Sequence, residues 1–423
     1  MKNIKIFKNP FFLFLPFLIL YVLIIINFPT NGNVGDEGRY LMFARHLLNG
    51  FYSPPPPNID LGNGPGYPII IVPFLALHLP LISITILNAI FYYFSLIFLF
   101  KCLKKISTTR IALILSLFWG FYINLYEYLP IIYTETFTVF LISLISFSIL
   151  KTFEFPTGKK YTYLSAFLIG YLALTKPIFG YVLTFILIIS IILVLIYRKN
   201  QNYQRTLFIS LLALIITSPY LIYNYRLTNK LFYWGSNGGN NLYWMTTPFE
   251  GEYGNWIEYP IIPKKNRVEK SEIAIKKNHE KELDEIYKLP TLSRDSLFRT
   301  IATANIKAHP KKFLLNCISN ISRMLFNFPY SYKLEKPGTL LRLPFNGFII
   351  VLLFFSIIPG IINWNKISFA VKFLLLFSLI YLGGSIFGSA ETRMFTMIVP
   401  ILLIWIAYFL KRCIKIELKI PNE

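Results

Sequence analysis

Apolar positions along this chain fall in long unbroken blocks, not in the period-two alternation of strands or the one-sided stripe of a soluble helix. Ten such blocks lie near residues 11–28, 81–101, 110–126, 131–150, 162–175, 178–197, 206–223, 346–363, 369–388 and 393–410. Most are close to the roughly 20 residues that cross a hydrocarbon core as helix. A helix satisfies its own backbone hydrogen bonds in lipid, and the ten-residue alternation of a β-barrel is absent. The pattern predicts an all-α polytopic membrane protein with about ten transmembrane helices. An eleventh stretch, Tyr67 to Leu79, is short and broken by Pro68 and Pro73, with Pro80 following; it reads as interfacial or re-entrant.

The polar intervals divide the chain into a transmembrane catalytic module over 1–223, with its first outer loop at 29–66, an extracytoplasmic region over 224–345, and C-terminal transmembrane helices over 346–423. Residues 264–312 mix charges in a helix-permissive run ending at His309-Pro310. Phe313 to Phe328 follows, apolar but interrupted by Asn316, Asn320 and Arg323. These segments predict a small extracytoplasmic helical region that includes an interfacial helix.

Composition agrees with the membrane reading: 55% of the 423 residues are apolar and 15% charged. The formal charge of +22 would suggest nucleic acid in a soluble chain. Here the Lys and Arg residues gather at helix ends, where they orient helices and meet anionic headgroups, so no nucleic-acid partner is expected. Segments 1–10, 101–110, 151–161, 198–205, 364–372 and 411–423 carry 19 Lys and Arg. The short segments of the other face carry only Arg39, Arg45, Lys176 and Arg393. The positive-inside bias therefore places both termini in the cytoplasm. If the stretch at Tyr67 crossed the membrane, the later connectors would exchange sides and the bias would fail.

The first block follows Lys2, Lys5 and Lys8 but is followed by no small-residue cleavage site, so it reads as a retained anchor. Richness in Lys, Ile, Asn and Phe suggests an AT-rich bacterial genome, and hence a multi-pass protein of the bacterial inner membrane. Cys102 and Cys413 fall on one side and Cys317 on the other, so no disulfide within the chain is expected. His46, His78, His279 and His309 show no metal-ligand spacing.

Candidate chemistry sits at the outer helix ends. Gly35-Asp36-Glu37-Gly38-Arg39-Tyr40 opens a short helix closed near Gly50. Asp36 and Glu37 either cap that helix or present a general base beside a membrane-edge cleft. Glu135 begins an apolar helix and needs a partner or water there, which makes it a functional candidate, with helix capping as the alternative; Glu127 reads as a plain loop residue. Lys176 supplies either a point charge for a phosphate or a snorkelling helix end. Arg393 is suited to clamping a phosphate or to pairing with Glu391. The aromatic and glycine-rich run from Trp234 to Trp256, including Asn240 and Trp244, suits sugar rings or an interfacial belt.

Asp-Glu-x-Arg-Tyr at 36–40, with Ala44-Arg45 and Leu47-x-x-Gly50, resembles the first-loop motif of the GT-C glycosyltransferases related to protein O-mannosyltransferases and to the lipid A aminoarabinose transferase. The resemblance implies transfer of a sugar from a polyprenyl-phosphate carrier to a lipid, glycan or protein acceptor on the extracytoplasmic face. It implies Asp36 as catalytic carboxylate with Glu37 beside it, Glu135 as a second acidic residue, and Arg39 and Tyr40 holding the loop or substrates. Leu174-Thr175-Lys176 resembles the family's Leu-Thr-Lys/Arg element, and Glu391-Thr392-Arg393 its late Arg-Tyr element with Met394 in place of tyrosine. Lys176 and Arg393 would then bind the donor phosphate, and Asn240 and Trp244 the substrates. The implied reaction inverts the anomeric centre with Asp36 as general base, and a divalent cation through Asp36, Glu37 and Glu135 is compatible with it. Where the aminoarabinose transferase has Glu-Lys-Pro-Pro, this chain has Asn63-Gly64-Pro65-Gly66-Tyr67-Pro68, which argues against aminoarabinose as the sugar. A transporter or lipid flippase would show ionisable residues at mid-membrane and paired broken helices in two similar halves; neither is present. A surface-polysaccharide ligase or polymerase is a further alternative.

Overall fold

The computed structural model describes residues 9–154, 159–261, 269–331 and 337–413. The basic flank at Lys2, Lys5 and Lys8, the first part of the charged run at 264–268 and the last ten residues lie outside these. Among the described residues there are helices, turns and irregular segments but no strand.

Each predicted apolar block becomes helical. The first block is broken: α1, Pro10–Leu13, and α2, Leu15–Asn27, meet at Phe14, because Pro16 lacks the N–H that would continue the ladder. The first outer loop contains α3, Glu37–Leu48, and leads into α4, Gly66–Ala76. Then come α5, Leu81–Ile106; α6, Thr109–Gly120; α7, Glu135–Glu154; α8, Lys159–Thr175; α9, Pro177–Ile196; and α10, Gln201–Thr228. The long polar region supplies α11, Gly238–Met245; α12, Glu269–Tyr287; α13, Thr291–Ala308; and α14, Pro310–Phe326. The chain finishes with α15, Pro337–Ile362; α16, Phe369–Phe387; and α17, Thr392–Cys413.

Seven of these helices (α5, α7, α9, α10, α15, α16 and α17) are long and apolar enough to cross a membrane. The protein is an all-α, polytopic integral membrane protein. The three remaining predicted spans form shorter helices: α2 follows the break at Phe14, α6 passes at Gly120 into a 3-10 segment, Ile123–Tyr128, and α8, at 17 residues, still returns the chain to the pole of Glu135, where Lys176 meets it. Gly120 permits that turn to lie against α2, since a Cβ there would meet the Phe17 ring at 2.6 Å.

The eleventh stretch is α4, and it does not cross. A Cβ on Gly66 at its start would meet Thr175, next to Lys176, and one on Gly32 of the first loop would meet Leu81, just beyond the end of α4. Both ends of α4 therefore sit at the same pole, and 11 residues span only about 16 Å as helix.

Helix α7 is central. Most of its residues are buried, as are those of α17, whereas the apolar side chains of α15 mostly face outward to lipid. Because lipid tails give no hydrophobic drive between helices, close packing and small hydroxyls hold the bundle. Ser95 on α5 and Ser143 on α7 share a hydrogen bond at 2.9 Å, Trp119 Nε1 donates to Ser95 at 3.0 Å, and Ser148 and Ser165 join α7 to α8 at 2.8 Å.

The long polar region has its own small core, in which Tyr243, Trp244, Ile257, Ile275, Leu283, Ile286 and Phe298 cluster. A polar network runs through it. Tyr243 donates to Glu282 at 2.7 Å and shares a hydrogen bond with His279 Nδ1 at 2.7 Å, and His279 Nε2 bonds Glu252 at 2.8 Å. Burial by itself raises the Glu252 carboxyl, but hydrogen bonds from His279, Asn278 and Thr247 outweigh it and hold the group below the usual carboxylate range. A depressed carboxylate contributes stability above its unfolded value of about 4.3, and loses it as pH falls through the lower folded value. Thermal melts of the purified protein between neutral pH and about pH 3 are expected to show a decline beginning below about pH 5 that Glu252→Gln flattens; parallel curves for the two proteins would refute this.

Candidate functional site

Four separated segments bring charged side chains together at the pole that carries the first outer loop. Asp36 stands at the N-terminus of α3, yet its side chain makes no capping hydrogen bond. Its carboxylate lies 3.5 Å from Arg393 Nη1 and 3.7 Å from Arg39 Nη1, and its side chain is 31% exposed. Capping is thus not its role. Its backbone N–H donates to the Tyr133 hydroxyl at 2.9 Å. That approach requires Gly35, whose φ is +55° and where a Cβ would fall 1.9 Å from the Tyr133 oxygen.

Glu135 opens α7 and is almost fully buried. Its Oε1 accepts from Lys176 Nζ at 3.0 Å and lies 3.8 Å from Arg393 Nη1. Lys176 fills the one-residue turn between α8 and α9 and remains 16% exposed. Burial lowers its ammonium from the ordinary lysine value, and Glu135 works against that shift. Arg393 begins α17, and its Nε also donates to Glu391 at 3.1 Å. Arg393 therefore holds Glu391 and reaches Asp36 and Glu135 together. The result is an alternating cluster, Arg39, Asp36, Arg393, Glu135, Lys176, in which each carboxylate lies between two cations.

Gly64 and Gly66 have a packing role. A Cβ on Gly64 would meet the Leu174 carbonyl oxygen at 2.0 Å, so the first loop lies directly on the turn that carries Lys176. Tyr171 reinforces the contact by donating to the Gly66 carbonyl at 2.8 Å.

Glu37 has a different position from its neighbour. Its carboxylate is buried and accepts from Thr30 Oγ1 at 2.7 Å, Val34 N–H at 2.8 Å and Ile132 N–H at 2.8 Å. It ties the first loop to the segment before α7 and faces away from Asp36's cation partners. Each such charge-assisted bond contributes about 1.5–3 kcal/mol, so Glu37→Ala is expected to lower the melting temperature strongly. Asp36→Asn, which breaks only part-exposed pairs, is expected to leave it nearly unchanged; differential scanning fluorimetry compares the two.

Asp36, Glu37 and Glu135 do not converge on one point. Among the described residues, no group of three or more His, Cys, Asp or Glu is placed to hold a metal ion, so a divalent cation finds no preformed three-carboxylate site here.

Tyr40 is buried edge-on against Tyr67 at 5.3 Å between centroids, and also packs on Tyr133 at 6.4 Å. It forms the floor under the charged cluster. Glu127 pairs with Arg342. The two residues expected to bind substrate from the aromatic run separate: Trp244 is 1% exposed in the small core against His279, whereas Asn240 lines a cleft of about 260 Å³ that Arg39 also reaches. Trp256, in the same run, lines that cleft and is 40% exposed. Periodicity carries no signal that distinguishes Trp244 from Trp256, because α11, which holds Trp244, is only eight residues long and Trp256 follows in an irregular segment.

Sequence reading passed over the support for Arg393. Asn320 and Arg323 on α14 are fully buried. Asn320 donates to the carbonyls of Ser385, Ile386 and Gly388 and accepts from the Ala390 N–H. Arg323 donates to the carbonyls of Ala390 at 3.0 Å, Tyr253 at 3.1 Å and Pro329 at 3.0 Å. Together they clamp the segment leading into Glu391 and Arg393.

The chain is similar in structure to two crystal structures of ArnT from Cupriavidus metallidurans. The one bound to undecaprenyl phosphate is 13% identical with a TM-score of 0.39, over 95% of this chain and 78% of that one. The one in the apo state is 12% identical with a TM-score of 0.41, over 94% and 77%. No family model and no curated protein matches the sequence.

Proposed function

We propose that this protein is a membrane glycosyltransferase of GT-C type, moving a sugar from a polyprenyl-phosphate donor to an acceptor hydroxyl with inversion. The observation that carries the reading is the accessible Asp36 carboxylate held beside Arg393, with Lys176 and Glu135 completing the cluster at one pole of a membrane bundle. The first-loop motif around Asp36 supports it independently. With the positive-inside bias of the connectors, that pole is the extracytoplasmic one and both termini are cytoplasmic, in the bacterial inner membrane.

Asp36 accepts the proton of the acceptor hydroxyl as its oxygen attacks the anomeric carbon. The bond from that carbon to the phosphate oxygen breaks on the opposite face, and the lipid phosphate leaves with both electrons. Arg393 and Lys176 stabilise the charge developing on it, exchanging carboxylate partners for phosphate oxygens. The proton on Asp36 passes to water once product departs. Glu135 keeps both cations in place in the resting state, Glu37 and Tyr40 fix the loop that aims Asp36, and no nucleotide-binding loop is involved.

The test is mass spectrometry of envelope glycolipids, glycans and glycoproteins in cells lacking the chain. One sugar modification is expected to disappear and to return on complementation with the wild-type chain. An unchanged glycan profile accompanied by a mislocalised solute or lipid would replace this reading with transport.

A further inference from the structure

Beyond the charged cluster, the cleft lined by Arg39, Asn237, Asn240, Trp256, Tyr287 and Arg294 has no part in the chemistry above. It lies where the first loop meets α11 and α13, at a junction of the kind where ligand sites are common. Arg39 connects it to the reaction centre. The Nη1 that lies 3.7 Å from Asp36 also donates to Asn63 at 3.3 Å, while the same side chain forms one wall of the cleft. A molecule held in the cleft thus ends one side chain away from Asp36.

The lining has a consistent chemistry. Trp256 leaves much of its ring open while its backbone N–H is fixed by Ser389 Oγ at 2.6 Å, in the same segment that Asn320 and Arg323 clamp. Asn240 lines the cleft beside Tyr287, to whose hydroxyl its side chain hydrogen-bonds, so its amide is held at the cleft wall. Arg294 is packed over the Tyr287 ring at 4.6 Å and held by Thr291. Amides that donate and accept, a fixed guanidinium and an open indole face match a ring that carries hydroxyls at its edge and C–H groups on its face. An extended peptide commonly docks by adding a strand to a sheet edge, and the described residues contain no strand.

Resting on the transferase reading, we infer that this cleft is the acceptor site and that the acceptor is a carbohydrate, whose ring lies on Trp256 and hydrogen-bonds Asn240, directing one hydroxyl past Arg39 to Asp36. Glycolipid headgroup and free glycan share this chemistry.

The full chain in detergent micelles is probed by saturation-transfer NMR with methyl glycosides of glucose, galactose, mannose and N-acetylglucosamine. At least one is expected to show transfer to its ring C–H protons. The apparent affinity falls roughly tenfold in Trp256→Ala and in Asn240→Ala, the scale of one lost contact, and Trp256→Phe restores most of it. Trp256 is exposed enough that its loss spares the fold, and Asn240→Ala gives an independent reading. Ring transfer absent for every glycoside, or unchanged in both alanine variants, overturns the assignment, as does a product sugar found on protein side chains. Product analysis in cells separates the two ideas. If Asp36→Asn cells keep the sugar, the transferase reading fails. If Asp36→Asn loses it while Trp256→Ala and Asn240→Ala change neither product nor glycoside binding, only the acceptor site fails. Glycolipid and polysaccharide fractions of the same cells tell the two carbohydrate sources apart.

Discussion

Asp36→Asn is expected to lower kcat by about 10²–10⁴-fold while the protein inserts, purifies and melts as wild type. The substitution keeps the shape of the side chain and removes only its ability to take a proton. It forfeits no helix cap, since the carboxylate makes none, and the pairs it breaks, at 3.5 Å to Arg393 and 3.7 Å to Arg39, are part-exposed; such pairs contribute about 0–1 kcal/mol. Turnover of a polyprenyl-phosphate sugar by the reconstituted protein reads kcat and KM separately. Near-normal kcat in a well-folded Asp36→Asn protein would remove the general base from the mechanism. A rise in donor KM alone would instead place Asp36 in ground-state binding, through its hold on Arg393.

Arg323→Ala is expected to produce the largest loss of stability. The guanidinium is fully buried and serves three carbonyls and the Asn320 side chain. Removing it strands those acceptors at about 1–3 kcal/mol each, a large share of the 5–15 kcal/mol that holds a typical domain. The melting temperature in detergent is expected to fall by many degrees, and monodisperse protein to fall with it on size exclusion. Arg323→Lys restores the charge but not the planar fork that reaches several carbonyls at once, so it recovers only part of the loss. Because Ala390 is one of the clamped residues, any folded Arg323→Lys protein is also expected to show weakened donor binding through Arg393. An Arg323→Ala protein that melts like wild type would show that the contacts between α14 and the loop before α17 are dispensable.

The Arg323 clamp also marks the line between what the chain states openly and what it conceals. Block hydrophobicity alone determined the all-α membrane class and the position of every apolar helix, because a hydrocarbon solvent imposes both a minimum length and internal backbone bonding on anything that crosses it. Pro68 and Pro73, with Pro80 beyond, marked α4 as a segment that stays at one pole. The first loop announced α3 and made Asp36 a candidate, since a carboxylate pair at a helix start is a local pattern. Three things were left to tertiary structure. Asp36 and Glu37 are adjacent and chemically alike, and only the fold turns one toward Arg393 and the other toward Thr30 and Ile132. Trp244, on α11, is enclosed by the small core, and Trp256, in the irregular segment beyond, is left open. Asn316, Asn320 and Arg323 interrupt an apolar helix in the sequence, but their partners are mainly backbone carbonyls of distant segments. Every residue carries a carbonyl, so such a partner has no side-chain identity to read, and only the folded chain shows where it is.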